Sequence, residues 1–512
     1  MMKVKDGLRY LKVCVKAGPG EAGRRNREKQ EDIRIRAERE RGAALLPEER
    51  TAQEAAARES GIRFRAVFLE KDVPQERRED AERSLREQTW PAGDGGAEYT
   101  VFLEPDGWLH PGALYECARA IRETGAELIY TDEGFFTDKP GDGENPHYKP
   151  DYGPDSLRGR NYIGPFLVCK SSLLREAGAE NYAATDADGR WDAVIRMAKK
   201  AKKITHIPKV LYYRRIQNSE FRIQNGELRR VKDPIEGEPL VSILIANKDH
   251  REDLKRCVDS IREKTSYGNY EIIVIENNSG EEETFRYYEA LKQDERIRVV
   301  RREGPFNYSG VNNLGAREAK GDYFLLLNND TEIISGDWIQ EMLMYAQRKD
   351  VGAVGAKLYY PDGTIQHAGI GIGIKMLAGH YHRGFPGDSD GYFGRLKYAQ
   401  DVSAVTAACM MIPRHVYEEM HGLDESFSVV FNDVDLCLRI RQAGYLIVWT
   451  PWAELYHYES KSRGQDEDTP EKKRFFVRET NRFLRKWHRV LEEGDPYYNV
   501  NLTRWGEDFS GR

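Results

Sequence analysis

After Leu240 the chain alternates short apolar runs with amphipathic stretches, and this alternation restricts the fold more than any other feature. VSILIA, YEIIVIENN, IRVVRRE and YFLLLNND read as buried strands. The helix expected after the first run has Leu254, Cys257, Val258 and Ile261 on one face, and a later helix is expected around Val311 to Ala319. Strand–helix alternation of this kind predicts an α/β fold with a doubly wound parallel sheet. The last run, YFLLLNNDTE from Tyr323 to Glu332, stops abruptly at Asn328, Asn329 and Asp330. That polar triplet falls just past the carboxyl end of its strand, where open α/β sheets place their ligands. A carboxylate there can hold a divalent cation against a diphosphate. Within this series neither GxGxxG nor GxxxxGK[ST] occurs, so a dinucleotide dehydrogenase and a P-loop enzyme are both disfavoured.

At 512 residues the chain is too long for one ordinary core, and two or three domains are expected. Charged residues make up 32% with a net charge of only -6, so the basic footprint of a nucleic-acid binder is missing. Cys14, Cys117, Cys169, Cys257, Cys409 and Cys437 are scattered without zinc spacing and read as reduced core thiols of a cytosolic protein. MMKVKDGLRYLKV lacks the apolar centre of a signal peptide, and no run is long enough to span a bilayer. The expectation is a cytoplasmic protein, with peripheral contact at the inner face of the cell membrane as the alternative.

Along the chain, residues 1–60 form a charged arm or helix carrying as many basic as acidic residues between 21 and 60. Residues 61–226 look globular: RAVFLE, YTVFLE and ELIYTDE as strands, with helices over Gln75 to Glu87 and Ala113 to Glu123. A Gly/Pro-rich loop, PGDGENPHYKPDYGPD, follows. Residues 227–239 read as a linker, 240–465 as the second domain and 466–512 as a helical extension. That extension starts well, with Pro470 after Thr469, and its Phe475, Phe476, Phe483, Leu484, Trp487, Val490 and Leu491 supply an apolar face among many Lys and Arg. Packing on the second domain is favoured over lying on anionic lipid.

These motifs together resemble the family 2 glycosyltransferases of the GT-A fold, particularly the rhamnosyltransferase-like branch that builds bacterial surface polysaccharides. The resemblance spans about Pro239 to Arg463: VSILIANKDH as the opening nucleotide-binding strand, IENNSG as the second-strand acidic turn, FNYSGVNNLGAREAKGDYFLLLNNDTEI as the approach to a DXD-type metal site, FNDVDLCLRIRQAGY as the acidic catalytic segment, and LYHYESKSRG as the C-terminal His motif. It implies two tandem GT-A, Rossmann-like domains, because the N-terminal half reads as a truncated and degenerate second copy. YTVFLEPDGWL aligns with YFLLLNNDTEI, setting Glu104 and Asp106 opposite Asn328 and Asp330. RWDAVIRMAKKAKKITHIP aligns with DVDLCLRIRQAGYLIVWTP, setting Asp192 opposite Asp435 and Arg190 opposite Asp433, with no His opposite His457.

The resemblance implies transfer of a sugar from a nucleoside-diphosphate sugar to a glycan or lipid-linked acceptor, with inversion by a single displacement. Asp330 and His457 would hold Mg²⁺ or Mn²⁺, whose Lewis acidity offsets charge on the departing diphosphate. The structural readings are a turn-capping Asp and a packed His. Asn328 replaces the first acid of the two-carboxylate DXD pattern, so the metal site carries less charge. Asp433 is the expected base for the acceptor hydroxyl. Asp435, two residues on, would not share its helical face and is assigned to positioning; the structural reading is a helix start capped by Asn432 or Asp433. Asp249 and Glu276, with Asn277 and Asn329 alongside, are expected around the nucleotide. Asn312 and Asn313 resemble the Asn pair before the metal strand, or else cap a helix, and Cys409 is core near the acceptor floor. Two rivals remain. A sugar-nucleotide pyrophosphorylase would want a glycine-rich loop where NKDHRED stands, and a non-catalytic scaffold suits the first copy better than the second.

Overall fold

A computed structural model describes residues 30, 32–34, 44–93, 96–137, 146–216, 228–458 and 470–512. Most of the charged arm and the KSRG end of the His motif lie outside these residues. The chain divides between Arg229 and Arg230 into two units, within the charged segment expected to be a linker. The larger unit also takes in residues up to Asp495 and the stretch Thr503–Phe509, while Pro496–Leu502 and Ser510–Arg512 belong to the smaller one.

In the larger unit the apolar runs become Val241–Asn247, Tyr270–Glu276, Ile297–Arg301 and Tyr323–Asn328, all mutually parallel where they pair. The Val241–Asn247 strand lies between Tyr323–Asn328 on one side and Tyr270–Glu276 on the other. The strand order therefore reverses beside it, which opens a crevice at the carboxyl ends. Helix Arg251–Lys264 covers this half with Leu254, Cys257, Val258 and Ile261, all fully buried. Beyond Tyr323–Asn328 the sheet departs from the parallel expectation. Cys409–Pro413 pairs antiparallel with it and with Val351–Tyr359, which runs parallel to Leu446–His457. The physical reason lies in the connection. Parallel neighbours need the chain to cross back over the sheet, whereas the short strands and 3-10 turns between Tyr359 and Cys409 bring it back at the end where Val351–Tyr359 finishes.

The smaller unit holds a six-stranded sheet ordered Phe64–Phe68, Tyr99–Leu103, Leu167–Lys170, Leu128–Phe136, Ile204–Arg215, Trp108–Leu109. Its pairings run parallel, antiparallel, antiparallel, parallel, antiparallel. The larger sheet shows the same sequence of senses from Val241–Asn247 through Tyr323–Asn328, Cys409–Pro413, Val351–Tyr359 and Leu446–His457 to Thr331–Ile333. The strands matching Tyr270–Glu276 and Ile297–Arg301 are absent from the described residues of the smaller sheet.

The C-terminal helix Pro470–Lys486 and the short helix His488–Glu493 belong to the larger unit. Phe476, Phe483, Trp487 and Leu491 are buried, and Phe483 stacks on Phe431 at 4.7 Å between ring centres. The apolar face is thus spent on the protein's own core. No helix among the described residues is long and apolar enough to cross a membrane. Cys117, Cys169, Cys257, Cys409 and Cys437 are free and buried, as the scatter of thiols implied.

Candidate active site

Strand pairing builds the metal-type corner. Asn328 ends its strand level with Ala246, and Asp330 follows at the turn into Thr331–Ile333. Because Thr331 pairs with His457 across an antiparallel ladder, Asp330 is carried up to the imidazole, Oδ1 to Nε2 3.2 Å. Both residues are buried. Burial alone would raise the Asp330 carboxyl, but the His457 hydrogen bond and charge, with Arg256 adding to them, hold it below the usual carboxylate range. Beyond this contact no donor reaches Asp330 Oδ1 among the described residues, and His457 Nδ1 is buried without a hydrogen-bond partner. A buried carboxylate oxygen whose neighbour is an imidazole fits a hard divalent cation. No group of three or more His, Cys, Asp or Glu able to hold an ion occurs among the described residues.

Asp433 is reached through a hydrogen-bonded chain that begins at the same corner. Asn328 Nδ2 lies 3.2 Å from His457 Nε2, and Tyr308 donates its hydroxyl to Asn328 Oδ1 at 3.3 Å and to the Ala407 carbonyl at 3.1 Å. The Ala407 amide in turn donates to Asp433 Oδ2 at 3.2 Å. Asp433 is half-exposed in the first turn of helix Asn432–Gln442 and so remains open to a ligand. Its other oxygen accepts only from the adjacent Val434 amide. The capping expectation fails here: the residue before the helix is Phe431, in the left-handed region at φ 62°, and no side chain caps the helix.

Asp435 differs completely from Asp433. It is fully buried and binds Trp487 Nε1 at 2.9 Å, Lys486 at 2.7 Å and Arg439 at 2.9 Å. Its carboxylate is an anchor for the C-terminal helix rather than a group facing an acceptor. Cys409 is buried within its strand, where burial pushes the thiol up and leaves it inert.

On the nucleotide side the first two strands deliver their residues to the same edge. Asn329 donates to Asn247, which donates to the Asp249 carbonyl and to Tyr288. Asp249 and His250 both take the left-handed conformation, at φ 50° and 48°, which turns the chain sharply after the first strand. Asp249 Oδ1 accepts from the Gly280 and Glu281 amides, and Glu276 Oε1 from Ser279. Asn277 Oδ1 is buried without a hydrogen-bond partner, the kind of orphaned acceptor a ligand satisfies, while Glu276 Oε2 has Arg301 Nε at 3.4 Å.

Asn312 and Asn313 are not brought to this edge. Asn312 bonds back to the Tyr308 carbonyl within its helix. Asn313 spends its amide on Leu423, Glu425 and Tyr417. Neither caps the helix, because Asn307 does, accepting from Gly310 at 3.0 Å. Sequence reasoning passed over Tyr308, Asn247 and Tyr288. The first two sit inside motifs it quoted, FNYSG and IANKD, and only the pairing of strands shows that they link one motif to the next.

Residues 242–420 match the model for Glycosyl transferase family 2. This segment is a family 2 glycosyltransferase domain. Across most of its length the chain is similar to an uncharacterized Sinorhizobium fredii protein, y4gI, at 42% identity, covering 80% of this chain and 49% of that protein. It is 34% identical to an O-antigen biosynthesis protein, RfbC, of Myxococcus xanthus, over 90% of this chain and 37% of that one. A Mycobacterium tuberculosis N-acetylglucosaminyl-diphospho-decaprenol L-rhamnosyltransferase is 28% identical over 28% of this chain and 50% of its own. The chain therefore spans half or less of the length of these relatives. Among solved structures, a crystal structure of GalNAc-T7 with UDP, GalNAc and Mn²⁺ is 16% identical with a TM-score of 0.40, over 52% of this chain and 53% of that one.

Proposed function

We propose that the larger unit is a glycosyltransferase that moves a sugar from a nucleoside-diphosphate sugar to a glycan or lipid-linked acceptor in the synthesis of surface polysaccharide. One observation carries the reading. The Asp330–His457 corner and Asp433 are joined through Asn328, Tyr308 and Ala407, of which Tyr308, Asn328, Asp330 and Ala407 fall in the segment matching this family and Asp433 and His457 follow it. Asp330 and His457 would hold a Mg²⁺ or Mn²⁺ ion, which when bound would offset charge on the departing diphosphate. Asp433 takes the proton of the attacking acceptor hydroxyl. With a single displacement the anomeric configuration inverts. Asp249, Glu276, Asn277 and Asn329 line the nucleotide side, and Asn277 Oδ1 is an acceptor left for the donor.

The smaller unit is read as a second copy that has lost catalysis and serves as a binding or scaffolding part. Its strand register puts Arg214 at the place of His457, since Trp108 pairs with Tyr213 as Glu332 pairs with Tyr456. Asp106 is engaged by Lys71 at 3.0 Å, and Glu104 lies 3.6 Å from Arg214. Two side-chain cations thus meet the acids where the other unit sets an imidazole beside its carboxylate. Arg190, aligned with Asp433, bonds the Thr185 carbonyl beside its own helix start.

The test begins with a thermal-shift panel of nucleoside diphosphates and sugar nucleotides with Mn²⁺ to find the donor. Asp433→Asn then keeps donor-dependent stabilisation but loses transfer by a factor of at least about a hundred, the low end of general-base effects. Retained turnover removes Asp433 as the base.

A further inference from the structure

We infer that Glu479, on the C-terminal helix, is a positioning residue for the catalytic groups, acting through the loop Phe427–Phe431. The inference rests on the glycosyltransferase reading and extends it to a residue outside the segment that matches the family. Glu479 is only 1% exposed. Its Oε1 accepts from the Ser428 amide at 2.6 Å and the Ser428 hydroxyl at 2.9 Å, and its Oε2 from the amides of Val429 at 3.2 Å and Val430 at 2.7 Å. Four donors from three successive residues converge on one carboxylate. Such charge-assisted bonds are the strong kind, and they fix the loop's backbone rather than one side chain.

What the loop carries makes this more than a packing contact. On its C-terminal side it runs through Phe431, held in the left-handed conformation, directly into the helix turn bearing Asp433. On its other side the Ser428 carbonyl accepts from the Tyr308 amide at 2.7 Å, and the Phe427 carbonyl accepts from Ser309 Oγ at 2.6 Å. Tyr308 is the residue whose hydroxyl joins Asn328 to Ala407. Glu479 therefore sets the base and the Tyr308 bridge together, from one point. The face that bears it is also the docking face: Phe476, Phe483 and Trp487 are buried at helical spacing around it. If docking alone were needed, an apolar residue would serve at that place. A buried carboxylate costs desolvation, and among the described residues its hydrogen bonds go to the loop.

The isosteric Glu479→Gln keeps shape and one carbonyl oxygen but loses charge and half the acceptors. Steady-state transfer with the donor found by the panel is the readout, beside Mn²⁺-dependent binding of the corresponding nucleoside diphosphate. Expected is a fall in kcat of roughly tenfold or more with donor KM within about twofold, the pattern of a transition-state interaction. Leu491→Ala, buried on the following helix away from the loop, is the stability control. It lowers the melting midpoint but leaves kcat of the folded protein unchanged. A Glu479→Gln protein that matches wild type in kcat, or falls no further than Leu491→Ala, overturns the inference. If Glu479→Gln does not fold, Ser428→Ala decides: it removes one donor, and kcat about threefold lower at constant KM supports the role, while unchanged kcat overturns it. Absence of transfer by the wild-type chain with every donor, with no nucleotide-dependent stabilisation, instead sinks the glycosyltransferase reading itself.

Discussion

Asp330 and Asp433 are proposed for opposite jobs with the same functional group, and what surrounds each supports the division. Asp330 is buried, charged and short of a donor, a state that costs free energy unless a cation completes it. Asp330→Asn keeps the volume and removes the charge. The stabilisation that Mn²⁺ adds in the presence of a nucleoside diphosphate should then collapse, because linkage gives only RT ln(1 + [L]/Kd), about 2.7 kcal/mol at a hundred times Kd. A Mn²⁺ titration followed by melting midpoint checks it, and an unchanged titration removes Asp330 as ligand. At this scale the sequence was legible where motifs converge, since Asp433 and His457, from separate motifs, are joined through Asn328, Tyr308 and Ala407. It was not legible where the partner is remote. Asp435 looked like a second site acid because it stands two residues from the first, yet its indole partner Trp487 lies 52 residues on. Nothing in FNDVDLCLR announces that bond. Asn313 was opaque for the same reason, since Leu423 and Tyr417 claim it from more than a hundred residues away, whereas Asn312 bonds one turn back to Tyr308.

At the scale of elements, apolar runs and one-sided helices were readable because burial on both faces of a parallel strand, or on one face of a helix, writes a period into the chain. The antiparallel Cys409–Pro413 strand was not, since TAACMMIP has the same buried composition whichever way it runs. The strand pair Leu128–Phe136 and Ile204–Arg215 shows what composition hides in the smaller unit. His206 has Asp132 Oδ1 at 2.9 Å from Nε2 and Asp151 Oδ1 at 3.1 Å from Nδ1, with Tyr130 stacked on its ring. Burial would depress the imidazole, but the Asp132 charge and the hydrogen bonds to both acids raise it from 6.5 to about 8. A raised folded pKa gives stability that is complete below pH 6.5 and lost as pH climbs through about 8. The loss is on the order of 2 kcal/mol. Hydrogen exchange of these two strands, corrected for its intrinsic pH dependence, should show protection falling between pH 6.5 and 8.5. His206→Gln should flatten that dependence, and equal slopes in the two proteins refute it.

At the scale of the whole molecule, two sheets with one order of pairing senses carry two different charge arrangements at the same place. Where the larger unit presents Asp330 beside the His457 imidazole, the smaller presents Asp106 and Glu104 facing Lys71 and Arg214. An ammonium 3.0 Å from a carboxylate already supplies the charge a divalent ion would bring, and placing that ion there as well would set it against the lysine. The smaller sheet also lacks, among its described residues, the two strands whose ends carry Glu276 and the turn that follows Arg301 in the larger one. Both arguments lead to one metal and one donor per chain, not two. Equilibrium dialysis with Mn²⁺ and the nucleoside diphosphate should give a stoichiometry near one, abolished by Asp330→Asn and untouched by Asp106→Asn. Lys71→Ala should leave the rate of transfer unchanged. A second equivalent of Mn²⁺ that disappears in Asp106→Asn would overturn this division of labour, because the smaller unit would then hold a cation despite its lysine.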